Sequence, residues 1–466
     1  MQLRQWQSEC ISKASKYYRN NRHFLCLATP AAGKTIMSAS LAKKLLAEDK
    51  IDLIICFSPS VTTSENARVV FERILGSKFD GMLASIGCSL TYQAMLNLDN
   101  TFWKIFNSHR VFVVFDEIHH CSGGDFVKGN AWGRLILNNI KNHAKYTLAM
   151  SGTPWRSDSM PIALSEYTKS NGKISTHYQY GLARAIEDKV CRVPQITLID
   201  NDKIVVTRQS VQNSYKSFNE LFNQKVISYS ELLHNQNALK YILGSSINKL
   251  SSIRTNNSRA AGLIVATSVA HALLIQRLMT KEFGETAEIV SYKTENSAQK
   301  IDRFRDSNDP WIISIGMISE GTDIPRLQVC CHLSRIKTEL YFRQIIGRIL
   351  RVTSHDSERA WLYTFAEPSL TNFAQRLNQD IPHYSVIMDE DSDVDKSKPD
   401  KPTDAVGVNK GTAASEKTKN ITADVLLTPD GYKAHSTKEK IPSDLVRCDI
   451  LGYFRQQVIQ AFQSPF

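Results

Sequence analysis

The chain contains no run of eighteen apolar residues, so no membrane-spanning helix is expected. Its first residues, MQLRQWQSEC, lack the basic-then-apolar order of a secretory leader. Cysteine is sparse. There are nine in 466 residues, none in a CxxC pair, and the one adjacent pair, Cys330-Cys331, sits in an apolar run. This argues against a disulfide framework and reads the thiols as small core residues of a cytoplasmic protein. His119 and His120 have no Cys or further His at ligand spacing, so no zinc site is expected there. No nuclease-like constellation stands out either, and any cutting would come from a partner. What is present is ordinary: 42% hydrophobic and 22% charged residues, enough chain for two or three domains. The net charge of +11 suits a polyanion such as nucleic acid, or serves solubility alone.

Short apolar runs recur along the chain. FLCLA (24–28), DLIICF (52–57), VFVVF (111–115) and YTLAM (146–150) read as buried parallel strands separated by helices. The pattern lapses over 201–258, which is polar with apolar residues at helical spacing. It resumes with GLIVA (262–266), AEIV (287–290), WIISI (311–315), QVCCHL (328–333) and AWLYTF (360–365). The expected architecture is α/β, with parallel sheets in two domains (1–195 and 259–385) and a helical insert between them (196–258). A disordered tether is expected over 386–440, where apolar residues nearly vanish. Over 441–466, Val446, Ile450, Phe454, Val458 and Phe462 form a stripe read as a short amphipathic helix. That helix docks on the protein's own core or on a protein partner.

Two constellations carry chemistry. In FLCLATPAAGKTIM a strand is followed by Ala32-Gly33-Lys34-Thr35 and a helix, the setting of a phosphate-binding loop. Helix-start N–H groups and the helix dipole favour phosphate there. Lys34 would reach the β- and γ-phosphates of ATP, and the Thr35 hydroxyl would ligate Mg²⁺. The loop departs from the usual pattern at Ala31, where a methyl costs about 1 kcal/mol if φ is positive. Downstream, VFVVFDEIHH puts Asp116 and Glu117 at a strand's carboxyl end, where α/β sheets bind ligands. Asp116 would hold Mg²⁺ through water, and Glu117 would orient and deprotonate the attacking water.

With these motifs the chain resembles superfamily 2 helicases carrying a DEAH-type box, in the branch of restriction-enzyme motor subunits and DNA-repair translocases. LRQWQ, SGTPWR (151–156), MISEGTDIP (317–325) and QIIGRILR (344–351) follow in family order. The resemblance implies two tandem RecA-like P-loop domains and ATP-driven movement on nucleic acid, with DNA the preferred substrate and RNA the alternative. It also implies site roles. Arg4 and Gln7 read adenine, Ser151 and Thr153 couple hydrolysis to domain motion together with His119, and Gly321 and Asp323 belong to the fifth motif. Gln344, Arg348 and Arg351 face the nucleotide from the second domain, with Arg351 as the arginine finger. Pro59, Ser60, Thr91, Gln93, Thr267 and Ser268 are implied nucleic-acid contacts; Thr91 and Thr267 read equally as helix caps.

Overall fold

β-Branched and aromatic runs bounded by helices favour strands buried on both faces, and the first half of the chain builds one such sheet. The computed structural model describes residues 2–379 and 447–462, apart from 124–129, 157, 159, 169–171, 209–210, 293–295, 317–323, 353–358 and 451. Strands β1 (His23–Ala28), β2 (Leu53–Ser58), β3 (Gly87–Thr91), β4 (Val111–Phe115), β5 (Tyr146–Ser151) and β6 (Tyr178–Tyr180) run in the order β3-β2-β4-β5-β1-β6. Every pairing is parallel. Helices α1 (Gln5–Tyr17), α2 (Lys34–Ala47) and α3 (Val61–Leu75) belong to this half. Alternate residues of β1 enter different cores: Phe24, Cys26 and Ala28 join the main cluster, while Leu25 joins a second one with Phe57 and Phe115.

The second sheet contains β7 (Val193–Asn201), β10 (Ala261–Val265), β11 (Ala287–Ser291), β12 (Trp311–Ile315), β13 (Leu327–His332), β14 (Arg359–Phe365) and β16 (Phe454–Gln460). Its order is β11-β12-β10-β13-β14-β7-β16, parallel except where β16 pairs antiparallel with β7. A hairpin of β8 (Ile204–Arg208) and β9 (Val211–Tyr215) pairs with β15 (Arg447–Ile450) as a small antiparallel sheet. Helices α4 (Leu182–Glu187), α5 (Gln236–Arg254), α6 (Val269–Phe283), α7 (Ser297–Asp306) and α8 (Glu339–Ile349) complete the set used below. Both sheets lie in one compact body.

Two expectations are corrected. The 196–258 insert is not wholly helical: it opens with most of β7 and the β8–β9 hairpin, and helix begins only at Phe218. ITLI and IVVT are β-branched runs around an Asn-Asp turn, a strand signal that the polar stretch after them obscured. The terminal stripe is not a helix within the described residues: Ile450 lies on β15 and Phe454 and Val458 on β16, while Val446 lies outside the described residues. The stripe's spacing of four satisfies a strand's period of two as well as a helix turn. Pairing of β15 to β8 and of β16 to β7 decides between them, with Ile450 buried and Phe454 stacked on Tyr241 at 4.2 Å. The tether expected over 386–440 lies outside the described residues.

Candidate active site

Parallel strands deliver their following loops to one edge of a sheet. Here the loops after β1, β2, β4 and β5 meet α8 and the residue pair after it across a cleft of about 680 Å³. Arg4, Lys34, Thr35, Pro59, Asp116, Glu117 and Thr153 line it from the first half, and Gln344, Arg348 and Arg351 from the second. Residues more than 300 positions apart in sequence therefore share one cavity.

The phosphate-type loop holds its shape through two left-handed residues, Ala31 at φ 68° and Gly33 at φ 92°. Ala31 is thus where the methyl group is strained. The start of α1 braces the loop: Arg4 Nη1 donates to Ala32 O at 2.7 Å, and Gln7 Nε2 donates to Gly33 O at 2.9 Å. A Cβ on Gly33 would sit 3.0 Å from Gln7 Nε2. Ala32 and Gln7 are buried beneath the loop rather than lining the cleft.

Lys34 Nζ lies 2.9 Å from Glu117 Oε1. Burial opposes its charge, yet the carboxylates of Glu117 and Asp116 outweigh that and hold its pKa above the usual lysine value. Glu117 sits in left-handed backbone at φ 50°, the kind of local strain that surrounding structure must enforce. Its Oε2 accepts from Ser151 Oγ at 3.1 Å and from Gly152 N at 3.2 Å. Burial opposes its charge too, but Lys34 and His119 keep it ionised well below the ordinary glutamate range. His119, itself buried, is 2.9 Å from Ser151 Oγ, which also accepts from Thr153 N at 3.0 Å. The DEIH and SGT segments thus form one hydrogen-bonded unit.

Asp116 differs from its neighbour. Its Oδ1 is buried and finds no hydrogen-bond partner. Burial, then the adjacent Glu117 charge, pushes its pKa from 3.8 up to about 6. A carboxyl whose folded-state pKa is raised costs stability as pH climbs from 3.8 through about 6. Asp116→Asn is therefore expected to raise the unfolding temperature at pH 7 by roughly 2 °C, with little change at pH 4; calorimetry at both pH values checks this.

The halves touch at Pro30. A Cβ on Gly152 would lie 2.8 Å from Pro30 Cδ, and one on Gly347 would lie 2.6 Å from Pro30 Cβ. The ring of Pro30 cannot rotate away, so α8 approaches the loop only because residue 347 has no side chain. Gly347→Ala is expected to push α8 off the loop and to cost about 1–3 kcal/mol of stability; denaturant titration checks it. A second contact crosses nearby, with the Arg343 guanidinium 5.3 Å from the Trp155 ring centroid.

The implied nucleic-acid residues lie at or just beyond the carboxyl ends of β2, β3 and β10. Ser60, Thr91 and Ser268 each cap a helix, accepting from Thr63 N, Ala94 N and His271 N. Thr267 does not cap; its N–H and hydroxyl meet His271 Nδ1 at 3.2 Å. Gln93 has a buried Oε1 without a partner. Pro59 also lines the cleft. Gly321 and Asp323 lie outside the described residues. Sequence reading missed Arg305, which lines the cleft from α7. No local motif marks it, since its neighbours read as an ordinary charged helix face.

Residues 1–156 match the family described as the res subunit of type III restriction enzymes, and residues 237–353 match the helicase conserved C-terminal domain. An uncharacterized protein of Mycobacterium leprae is 27% identical over 395 residues, covering 80% of this chain and 64% of that protein. The chain thus spans less than two thirds of that relative's length. A fragment of a putative HsdR subunit of a type I restriction enzyme from Vibrio vulnificus superposes with a TM-score of 0.54 at 15% identity, covering 80% of this chain and 65% of the fragment. The type ISP restriction-modification enzyme LlaBIII, solved bound to DNA, gives 0.51 at 13% identity, covering 81% of this chain and 28% of that one. At such identities the likeness is one of fold.

Proposed function

Because this chain belongs to superfamily 2 of the helicases, we propose that it hydrolyses ATP in the cleft between its two RecA-like domains and uses the cycle to move along DNA. The observation that carries this reading is the facing of Lys34 and Glu117 by Gln344, Arg348 and Arg351 across one cavity. A triphosphate is the ligand that needs an ammonium group on one wall and guanidinium groups on the other.

The residues present also fit magnesium. Asp116 offers an unpartnered carboxylate oxygen, and Thr35, a hydroxyl residue, lines the same cleft. When bound, the metal would neutralise charge on the phosphate oxygens. The chain's own groups do the rest. Lys34 exchanges Glu117 for phosphate, and this frees the Glu117 carboxylate to take a proton from the attacking water. Ser151 and Gly152 keep that carboxylate aimed. Arg348 and Arg351 stabilise charge developing on the transferred group. Because those arginines come from the second domain, hydrolysis requires closure and release permits opening; two domains that both hold a strand would then step along it.

DNA is the favoured track because the family matched by the first domain, and LlaBIII among structures of this fold, belong to restriction systems. We assign the cytoplasm as the compartment, in keeping with nine free cysteines. The test is ATP turnover without polymer and with duplex DNA, single-stranded DNA or RNA. Stimulation by duplex DNA supports the reading; stimulation by RNA alone makes the protein an RNA remodeller, and no turnover under any condition overturns it.

A further inference from the structure

A short strap joins the two halves. Between α4 and β7, Val190, Cys191 and Arg192 run beside the end of α8, with Cys191 bridged antiparallel to Arg351 and the Arg192 N–H donating to Leu350 O at 2.8 Å. On its other side the Cys191 thiol reaches Pro30 O at 3.7 Å. The strap therefore lies between the phosphate-type loop and Arg351, and Val190 lines the cleft beside them.

Arg192 is 0% exposed, among the largest side chains in the protein to be so enclosed. Its Nη1 donates to Ile349 O at 2.8 Å and to Leu327 O at 2.7 Å, and Nη2 approaches Pro325 O at 3.4 Å. Ile349 O belongs to the last turn of α8, where carbonyl groups lack helical partners and the dipole favours a cation. Leu327 O begins β13, and Pro325 lines the cleft. One planar fork thus ties three main-chain segments: the strap, the end of the helix carrying Gln344 and Arg348, and the approach to β13. Filling the same space with an apolar side chain would avoid desolvating a charge, so a guanidinium here answers to the carbonyl groups rather than to packing. Nη1 spends both its hydrogens on two divergent oxygens while Nη2 turns toward a third, a planar arrangement that an ammonium does not reproduce.

We propose that Arg192 is a positioning residue for ATP hydrolysis: by clamping the end of α8 to the strap, it sets where Arg348 and Arg351 stand relative to Lys34. This rests on the ATPase reading above. Arg192 touches no reacting atom, and its effect passes through the main chain at Ile349, Leu350 and Arg351.

The test compares Arg192→Met and Arg192→Lys with wild type in polymer-stimulated ATPase assays, with affinity for a fluorescent ATP analogue and thermal unfolding measured on the same preparations. Arg192→Met is expected to lower kcat about 10²-fold while analogue Kd stays within about threefold, since the first domain's loop is untouched. Arg192→Lys, which keeps the charge but not the fork, is expected to fall about tenfold. If Arg192→Met does not fold, the lysine variant decides. A folded variant with kcat within about twofold of wild type overturns the proposal, as does loss of analogue binding in step with kcat, which would mark a residue that only stabilises the fold. Wild-type protein that hydrolyses no ATP sinks the function itself, a separate result.

Discussion

Replacing Arg351 with alanine is expected to lower kcat for ATP hydrolysis by about 10³-fold or more, the range seen when an arginine finger is removed. Arg351 lies two residues beyond the end of α8, lines the cleft with Lys34, and has its main chain bridged to Cys191. Its side chain comes from the half of the molecule that does not carry the phosphate-type loop. An interaction made only when the halves close stabilises the transition state more than the bound substrate, so kcat falls and KM changes little. Because the bridge is made by backbone, truncating the side chain leaves the strap in place, and unfolding temperature is expected to hold. Arg348→Ala is the control. If Arg351→Ala retains nearly wild-type kcat while Arg348→Ala does not, the finger is Arg348, one helical turn away.

The second large effect is expected at the Lys34–Glu117 pair. Glu117→Gln keeps the shape of the side chain and removes its basicity, so turnover is expected to drop by about 10²- to 10⁴-fold with nucleotide binding retained. Lys34→Ala is expected to abolish turnover and weaken nucleotide binding, since it removes the ammonium group from the loop. It has a further consequence. Glu117 stays anchored by Ser151 and Gly152 but loses the cation 2.9 Å away, leaving its charge half-buried and uncompensated. A loss of stability on the order of 1–3 kcal/mol follows. The double variant Lys34→Ala/Glu117→Gln is expected to recover most of that stability while remaining inactive. Denaturant titration of the four proteins checks it; a double variant no more stable than Lys34→Ala would show that the pair is not coupled as its geometry indicates.

The stretches that could be read directly were those where local pattern and environment coincide. VFVVF is apolar throughout, and WIISI is so but for the buried Ser314, because both faces of an interior parallel strand are covered, and they are strands. The terminal segment failed as a helix because Ile450, Phe454 and Val458 fit either period, and only the open edges of β8 and β7 select the strand. ITLIDNDKIVVT failed for the opposite reason: its signal was local, but a long polar helix-like stretch followed it.

At the cleft, residue types and their order were set by sequence alone. Gly33-Lys34-Thr35 after one strand, Asp116-Glu117 after another and the arginines of QIIGRILR can be named without coordinates, because each rests on chemistry local to a strand end or helix. Which groups pair, and how their charges divide, was decided only by the tertiary structure. Asp116 and Glu117 are adjacent carboxylates of one type in sequence; the fold gives Lys34, Ser151 and Gly152 to Glu117 and leaves an Asp116 oxygen with none. Arg192 shows the same limit. Nothing in CRVP sets this arginine apart from one in a solvated turn, since its partners are main-chain carbonyls more than 130 residues away. Such carbonyls have no residue-type signature, so no sequence pattern can announce them.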